Sequence, residues 1–255
     1  KKIHVDIDRA ELNKNVRVDV AIAKDLKSAL DEWMPLVKKG DRRAWLEEID
    51  VLKGDSAVRD IQNLPDNGHL YAAHVINDLW RLTGGDAVVV TDVGQHQMWE
   101  AQYYKHDQPR SLITSGGLGT MGFALPAAIG AKVARPDAEV WVVCGDGGFQ
   151  MTMCELATIV QEGLNVKVAI INNGYLGMVR QWQEFFYEKR YAATPLIGPD
   201  FTKLAQAFGI DAVAVSRRGE VAAAVQGARK SRRATVIDFQ VEQEDSVFPM
   251  VPAGA

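Results

Sequence analysis

Cysteine is scarce in this sequence, which has only Cys144 and Cys154 among its 255 residues. A single pair builds neither a disulfide framework nor the ligand spacing of a zinc site. We therefore expect a chain from a reducing compartment, in which both thiols serve as small buried apolar side chains.

An excess of basic residues is also missing, because 29 Lys and Arg stand against 33 Asp and Glu. The resulting net charge of -4 leaves no basic surface of the kind that binds nucleic acid, so we predict no nucleic-acid partner. A hydrophobic content of 47% and a charged content of 24% are ordinary for a globular protein with one large domain, with or without a smaller piece.

Charged residues are absent from positions 112–131, a run long enough for a membrane-spanning helix. Several glycines and Pro126 interrupt it, so we predict a buried loop that leads into a helix, and no membrane partner. The chain opens with a strand-like segment at 2–7 and has neither a signal peptide nor an initiator Met. We read it as a piece of a longer polypeptide.

Short apolar runs alternate with segments of helical spacing from residue 68 onward, and no internal repeat is visible. This alternation predicts an α/β fold in which a six-stranded, mostly parallel sheet has helices on both faces. The strands are predicted at residues 87–90, 112–113, 140–144, 166–171, 212–215 and 235–239.

The chain ahead of residue 68 is predicted to be two further pieces. Residues 1–38 show two short strands and one helix, which are too few to form a core, so they are predicted to end a neighbouring domain. Residues 39–67 are polar and charged, which predicts a linker, and 68–255 would then be the main domain.

Two polar clusters follow the carboxyl ends of two predicted strands, at 145–148 (Gly-Asp-Gly-Gly) and 172–173 (Asn-Asn). Ligands bind at that edge of an open α/β sheet. Asp146 and Asn173 offer the oxygen ligands that Mg2+ accepts beside phosphate, and the glycines let a helix start approach a phosphate closely. Either cluster alone is typical of a turn. Together they predict a Mg2+–diphosphate site.

The spacing of these clusters resembles the diphosphate-binding motif of thiamine diphosphate (ThDP) enzymes. Four further stretches resemble the catalytic subunit of acetohydroxyacid synthase, also called acetolactate synthase. They are Gly-Gln-His-Gln-Met-Trp at 94–99, Ser-Gly-Gly-Leu-Gly-Thr-Met-Gly at 115–122, Gly-Met-Val-Arg-Gln-Trp-Gln at 177–183 and Phe-Pro-Met-Val-Pro-Ala-Gly-Ala at 248–255. The resemblance covers nearly the whole chain. It implies a ThDP- and Mg2+-dependent transferase that decarboxylates pyruvate and adds the two-carbon unit to pyruvate or 2-ketobutyrate, in branched-chain amino acid synthesis.

The resemblance assigns a role to each matching residue. Mg2+ would be bound by Asp146, Asn173 and the backbone carbonyl of Tyr175. Met121 would lie beneath the bend between the two rings of ThDP, and Met178 and Trp182 would line the substrate channel, with the Trp favouring 2-ketobutyrate. Without the resemblance, the Met178 and Trp182 pair is typical of a core face, and His96 of a helix start without a chemical role. The remaining cofactor contacts would come from Gly94, Gln95, His96, Gly119, Met121, Gly145, Gly147, Gly148, Gly177 and Met178.

The resemblance also implies partners that the chain does not contain. Residues 6–7 (Asp6, Ile7) and 25–26 (Asp25, Leu26) match positions that contact FAD in the family's middle domain. The glutamate that protonates the pyrimidine ring comes from the N-terminal domain of a second catalytic subunit, and Glu155 is not expected to replace it. A small regulatory subunit is a further candidate partner. The implied location is the cytoplasm of a bacterium, or a plastid or mitochondrion.

Two alternatives stay open from the sequence. The chain could belong to another ThDP decarboxylase or carboligase, of the pyruvate oxidase or glyoxylate carboligase type. It could also be only a ThDP-binding or oligomerisation module, because the 255 residues by themselves are predicted to be inactive or nearly so.

Overall fold

A computed structural model describes residues 1–54 and 67–250 of the chain. The end of the predicted linker (55–66) and the end of the fourth matching stretch (251–255) lie outside the described residues. The chain divides into two compact units, residues 1–56 and 57–255, and each unit has its own sheet.

The first unit contains a pair of parallel strands and two helices. Strand β1 (Ile3–Asp6) pairs with β2 (Val20–Ala23), and helix α1 (Leu26–Trp33) follows. The carboxylate of Asp25 accepts a hydrogen bond from the N–H of Ser28 at 3.0 Å, which caps the first turn of α1.

A second helix of this unit, α2 (Arg43–Gly54), lies inside the segment that the sequence predicts as a linker. Its apolar residues Trp45, Leu46 and Ile49 have helical spacing, but the surrounding charges give the segment the composition of a linker. Trp45 and Leu46 remain more than half exposed. The segment is therefore partly helical, a feature that the composition did not indicate.

The second unit is built on a sheet in which every neighbouring pair of strands is parallel. Within the described residues, this sheet has six strands in the order β4-β3-β5-β6-β8-β7, and the predicted α/β class is confirmed. The strands are β3 (Val88–Thr91), β4 (Leu112–Thr114), β5 (Val140–Gly145), β6 (Val166–Asn172), β7 (Asp211–Val215) and β8 (Thr235–Gln240).

Helices cover both faces of this sheet, as predicted. Because side chains alternate along a strand, Val89 and Trp141 face one layer, and Val90 and Val142 face the other. The first layer is formed by α3 (Ala72–Thr83), α4 (Gln95–Tyr103) and α10 (Val221–Lys230), and the second by α5 (Ala124–Ala134), α6 (Asp146–Thr152), α7 (Leu156–Gln161) and α9 (Phe201–Ala207). Helix α8 (Gly177–Phe186) follows β6.

The apolar spacing of residues 150–161 predicts a single helix there, and the structure differs from this prediction. The helical segment begins earlier, at Asp146, and a short 3-10 turn (Met153–Glu155) separates α6 from α7. The glycines after Asp146 have low helix propensity, which is why the sequence suggested a later start. Glu155 accepts a hydrogen bond from the Thr158 hydroxyl at 2.8 Å, which is a local contact, as expected.

The uncharged run at 112–131 forms β4, a loop and most of α5, which confirms the predicted loop leading into a helix. The prediction that this loop is buried is wrong, because residues 116–120 are exposed and Leu118 is 93% exposed. In the part of the chain that the structure describes, no helix is long and apolar enough to cross a membrane.

Candidate functional site

An open cleft of about 520 Å³ lies at the carboxyl ends of β3, β5 and β6. The segments that follow these three strands meet there because the strands are parallel neighbours in the sheet. Helices α4, α6 and α8 begin at the cleft, so their unpaired N–H groups and their dipoles favour a bound anion. Most predicted cofactor residues line it: Gly94, Gln95, His96, Met121, Gly145, Asp146, Gly147, Gly148, Asn173, Tyr175, Gly177 and Met178.

His96 carries an unpaired nitrogen at this cleft. The side chain is buried, and burial lowers the pKa of His96 to about 4, so the ring is neutral at pH 7. Its Nε2 has no hydrogen-bond partner among the described residues. A buried polar atom without a partner is costly. A ligand with polar oxygens in the cleft would satisfy it.

Two glycines leave room for the His96 ring. A Cβ at Gly94 or at Gly145 would lie 3.0 Å from the Cε1 of His96. Gly94 also has a φ of 147°, a backbone conformation that residues other than glycine rarely adopt. The two glycines therefore let the main chain of both segments approach the Cε1 and Nδ1 atoms of the imidazole closely.

Asp146 is the one carboxylate among the described residues that line the cleft, and it is 2% exposed. Burial raises the pKa of Asp146 to about 6, although the N–H groups of Asp146, Gly147 and Asn173 oppose the rise. A buried carboxylate of this kind is stabilised by a nearby cation. Its position at the first residue of α6 matches the predicted role in metal binding, which stays a prediction.

Two side-chain amides lie next to this carboxylate. The Nδ2 of Asn173 donates to the Oε1 of Gln95 at 3.1 Å, and the Oδ1 of Asn173 accepts from the N–H of Tyr175 at 3.1 Å. Gly177 packs so closely that its Cβ would overlap the amide oxygen of Gln95 and lie 2.7 Å from the Nδ2 of Asn173. Only glycine fits there without moving both amides.

Asp92 was missed by the sequence analysis, although it directly follows β3. The same rule that selected Asp146, a polar residue just past a strand end, would have found it. Asp92 is 1% exposed, and its carboxylate accepts hydrogen bonds from the N–H groups of Gly122 and Ala124, both at 3.0 Å. It thereby anchors the loop that carries Met121 and caps the start of α5.

Met121 reaches the cleft from that loop, and its Cε lies 3.8 Å from the position of a Cβ on Gly147. Gly119 is exposed on the same loop and does not line the cleft. Trp182, one turn of α8 beyond Met178, is 49% exposed and also lies outside the lining. The structure therefore places Met121 and Met178 at the cleft and Trp182 on the solvent side.

The predicted FAD residues belong to the first unit. Asp6 and Ile7 stand at the carboxyl end of β1, and Asp25 and Leu26 shortly follow β2. Ile7 is 77% exposed and Leu26 is 58% exposed in this chain. The four residues share one edge of a parallel pair, the edge at which ligands bind in α/β sheets.

A Ser-His-Glu chain lies outside the cleft. His106 Nδ1 is 2.8 Å from the hydroxyl of Ser111, and His106 Nε2 is 2.6 Å from a carboxylate oxygen of Glu100. This connectivity is typical of hydrolases with a serine nucleophile. Ser111 is only 2% exposed, and its hydroxyl donates to the carbonyl of Gln108 at 2.8 Å. The cluster therefore stabilises the fold and offers no accessible nucleophile.

No group of three or more His, Cys, Asp or Glu side chains able to hold a metal ion occurs among residues 1–54 and 67–250. A cation at Asp146 and Asn173 would need further ligands, and the oxygens of a bound diphosphate and water would supply them.

The comparison with known families shows the family to which the chain belongs. A family model described as "Thiamine pyrophosphate enzyme, C-terminal TPP binding domain" matches residues 92–239, more than half of the chain. The chain belongs to the thiamine pyrophosphate enzyme family. The matched range includes every residue that lines the cleft, and thiamine pyrophosphate is another name for ThDP.

Individual relatives are similar over the entire chain. "Acetolactate synthase" of Mycobacterium leprae is 46% identical over 265 residues, covering 100% of this chain and 42% of that protein. "Acetolactate synthase large subunit" of Corynebacterium glutamicum is 46% identical over 266 residues, with the same two shares. "Acetolactate synthase 2, chloroplastic" of Nicotiana tabacum is 42% identical over 272 residues, covering 100% of this chain and 40% of that protein.

The similarity to proteins with these names confirms the resemblance predicted from the sequence. The chain spans about two fifths of the length of the curated relatives it matches.

Proposed function

We propose that this thiamine pyrophosphate family member is the part of an acetolactate synthase that holds the diphosphate end of ThDP through Mg2+. The observation that carries the proposal is the meeting of Asp146, Asn173 and the unpaired Nε2 of His96 in one cleft, inside the range that the family model matches. When bound, ThDP supplies the electron sink that lets a 2-keto acid lose carbon dioxide.

Different residues of the chain would bind the metal ion and the diphosphate. Asp146, Asn173 and the carbonyl of Tyr175 would hold Mg2+. Gln95, His96 and the N–H groups at the start of α6 would contact the diphosphate, and the surrounding helix starts favour its charge. The metal and the diphosphate would thus bind together, because the diphosphate oxygens would complete the coordination of Mg2+. The metal would in turn link the diphosphate to the protein.

Met121 would set the shape of the cofactor. Its large apolar side chain extends toward Gly147, so the ring portion of ThDP would bend over it while the diphosphate lies at α6. Asp92 holds the loop of Met121 through the N–H groups of Gly122 and Ala124. These two hydrogen bonds support the proposed role of Met121, because a loop held in one conformation keeps the Met121 side chain in one position.

FAD and further subunits belong to the same proposal. Asp6, Ile7, Asp25 and Leu26 would contact FAD together with parts of the protein outside this chain, and their shared sheet edge supports this. A second catalytic subunit would supply the proton-handling glutamate, and a small regulatory subunit is a further partner. The proposed location is the cytoplasm of a bacterium, or a plastid or mitochondrion.

The direct test is an assay of the complete protein with pyruvate, ThDP, Mg2+ and FAD. We expect acetolactate to form, and to stop forming when ThDP is omitted. Failure to form acetolactate with all components present would contradict the proposed reaction. This chain by itself, assayed in the same way, is expected to be inactive or nearly so.

Trp182→Leu is expected to lower the preference for 2-ketobutyrate over pyruvate as acceptor by about tenfold, because the wide indole offers more apolar contact to the extra methyl group. The measurement is the ratio of the two acetohydroxy acids formed when both acceptors are present. Trp45→Leu, the same change at an exposed Trp of α2, is the matched control and should leave the ratio unchanged. An unchanged ratio in Trp182→Leu would contradict the proposed role of Trp182 in acceptor preference, whereas failure to form either acetohydroxy acid by the unsubstituted protein would favour an enzyme of the pyruvate oxidase or glyoxylate carboligase type.

A further inference from the structure

Gln181 lies in α8 next to the cleft, yet it is not among the residues that line it. The side chain is completely buried. Its Oε1 accepts from the main-chain N–H of Val247 at 2.8 Å, and its Nε2 donates to the carbonyl of Val247 at 2.9 Å. A main-chain N–H can only donate and a carbonyl can only accept, so these two bonds fix which end of the Gln181 amide carries the oxygen.

The orientation of Gln95 follows from that of Gln181. The Nε2 of Gln95 donates to the Oε1 of Gln181 at 2.8 Å and to the main-chain carbonyl of Asp245 at 3.0 Å. Both neighbours accept at this point, so the nitrogen of Gln95 must face them. Its oxygen is therefore on the opposite side, toward the residues that follow β6.

The orientation of Asn173 follows in turn. Its Nδ2 donates to the Oε1 of Gln95 at 3.1 Å, and its Oδ1 accepts from the main-chain N–H of Tyr175 at 3.1 Å. Reversing any one amide would set two nitrogens or two oxygens against each other inside the protein. Each reversal would leave buried groups unpaired, which costs about 1–3 kcal/mol per group.

We infer that Gln181 is a positioning residue which, through Gln95, directs the amide oxygen of Asn173 toward the metal ion. The inference rests on the proposed function, since it assumes that Asn173 binds Mg2+. It deepens that function by linking the metal site to the segment at 245–247, which follows the last strand of the sheet. Residues that hydrogen-bond to the ligands of a metal commonly set the orientation of those ligands in this way.

Two residues of the segment at 245–247, Asp245 and Ser246, are also held by a side chain other than Gln181. Arg180 is fully buried, and its Nη2 donates to the carbonyl of Asp245 at 2.8 Å and to the hydroxyl of Ser246 at 3.1 Å. Its Nη1 donates to Glu184 at 2.8 Å. Substitution of Gln181 should therefore release the amides and the main chain of Val247, while Arg180 still holds Asp245 and Ser246.

Gln181→Met tests the inference in the complete protein, because Met keeps the length of the side chain and removes both hydrogen-bonding atoms. At saturating ThDP, the Kd for Mg2+ measured by titration calorimetry is expected to rise about tenfold. Gln183→Met is the matched control on the same helix. Gln183 makes the same pair of bonds with the main chain of Ala192, at 3.0 Å each, but none with Gln95, so the Kd should stay within about twofold.

A double-mutant cycle separates positioning from general packing. In an Asn173→Ala background, Gln181→Met is expected to change the Kd for Mg2+ by less than about twofold, because its effect passes through Asn173. A wild-type Kd in Gln181→Met, or an undiminished loss in the Asn173→Ala background, would overturn the inference while leaving the proposed function intact. Wild-type protein that binds ThDP without any dependence on Mg2+ would overturn both.

Gln181→Glu serves as a second variant in case Gln181→Met does not fold. At this fully buried position Glu is expected to be protonated, so it keeps the acceptor for Gln95 and for the N–H of Val247 and a donor for the carbonyl of Val247. The Kd for Mg2+ is therefore expected to stay within about threefold of wild type. A tenfold rise in Gln181→Glu would count against the inference. Melting temperatures of the variants establish that the protein compared is folded.

Discussion

Asp146→Ala is expected to weaken the binding of ThDP in the presence of Mg2+ by at least about 100-fold. The substitution removes the one carboxylate that lines the cleft among the described residues, and metal sites lose most of their affinity when a charged ligand is lost. Titration calorimetry of ThDP at fixed Mg2+ measures the loss. Formation of acetolactate at limiting Mg2+ should fall in parallel in the complete protein.

The fold should tolerate Asp146→Ala, because burial already disfavours the charged form of this carboxylate. Asp200→Ala is the matched control, since Asp200 also stands at a helix start and accepts from the N–H groups of Thr202 and Lys203 at 3.1 Å. We expect the control to lose about 1 kcal/mol of stability and to keep ThDP binding. Unchanged acetolactate formation by Asp146→Ala at limiting Mg2+ would contradict the assignment of Asp146 as a Mg2+ ligand.

Gly148→Ala is expected to destabilise the second unit by about 3 kcal/mol, because an added methyl group would overlap the carboxylate of Asp92. Asp92 would have to move, and the N–H groups of Gly122 and Ala124 would lose their buried acceptor. Thermal or urea unfolding measures the change. The affinity for ThDP should fall as well, since the same carboxylate holds the loop of Met121.

Gly130→Ala is the control for this prediction. Gly130 lies within α5, and a Cβ there would meet no atom within 4 Å, so the helix should gain about 0.5–1 kcal/mol of stability. If Gly148→Ala melts at the wild-type temperature, the close approach between α6 and Asp92 does not exist in the protein.

The strands of the second unit could be predicted because their signal is local. A run such as 140–144 is apolar at every position, and both of its faces are buried in the structure. Parallel strands covered on both sides require that pattern. The polar residues that follow such strands were predictable for the same reason, and the structure brings Asp146 and Asn173 to one cleft. Their roles in binding remain predictions.

Features that depend on distant contacts were not predictable. Gln181 bonds to Gln95, which is 86 positions earlier, and to Val247, 66 positions later, and nothing in the spacing of α8 distinguishes it from Gln183. Helix α2 was hidden because charged residues are nearly as frequent in it as apolar ones. Asp92 was overlooked because it stands alone, whereas Asp146 stands among glycines.

The resemblance to a family contributed what periodicity could not. Gly119, Met121 and Trp182 became candidates only through their match to acetolactate synthase. The structure places Met121 at the cleft, and Gly119 and Trp182 outside its lining.

The central claim is that Asp146 and Asn173 bind the metal ion that carries the diphosphate of ThDP. The most direct measurement is a crystal structure of the complete protein grown with ThDP and Mn2+ in place of Mg2+, with anomalous scattering to locate the metal. We predict a single peak within about 2.5 Å of an oxygen of Asp146, the amide oxygen of Asn173 and the carbonyl of Tyr175. A peak elsewhere, or ThDP bound with its diphosphate away from the start of α6, would contradict the claim.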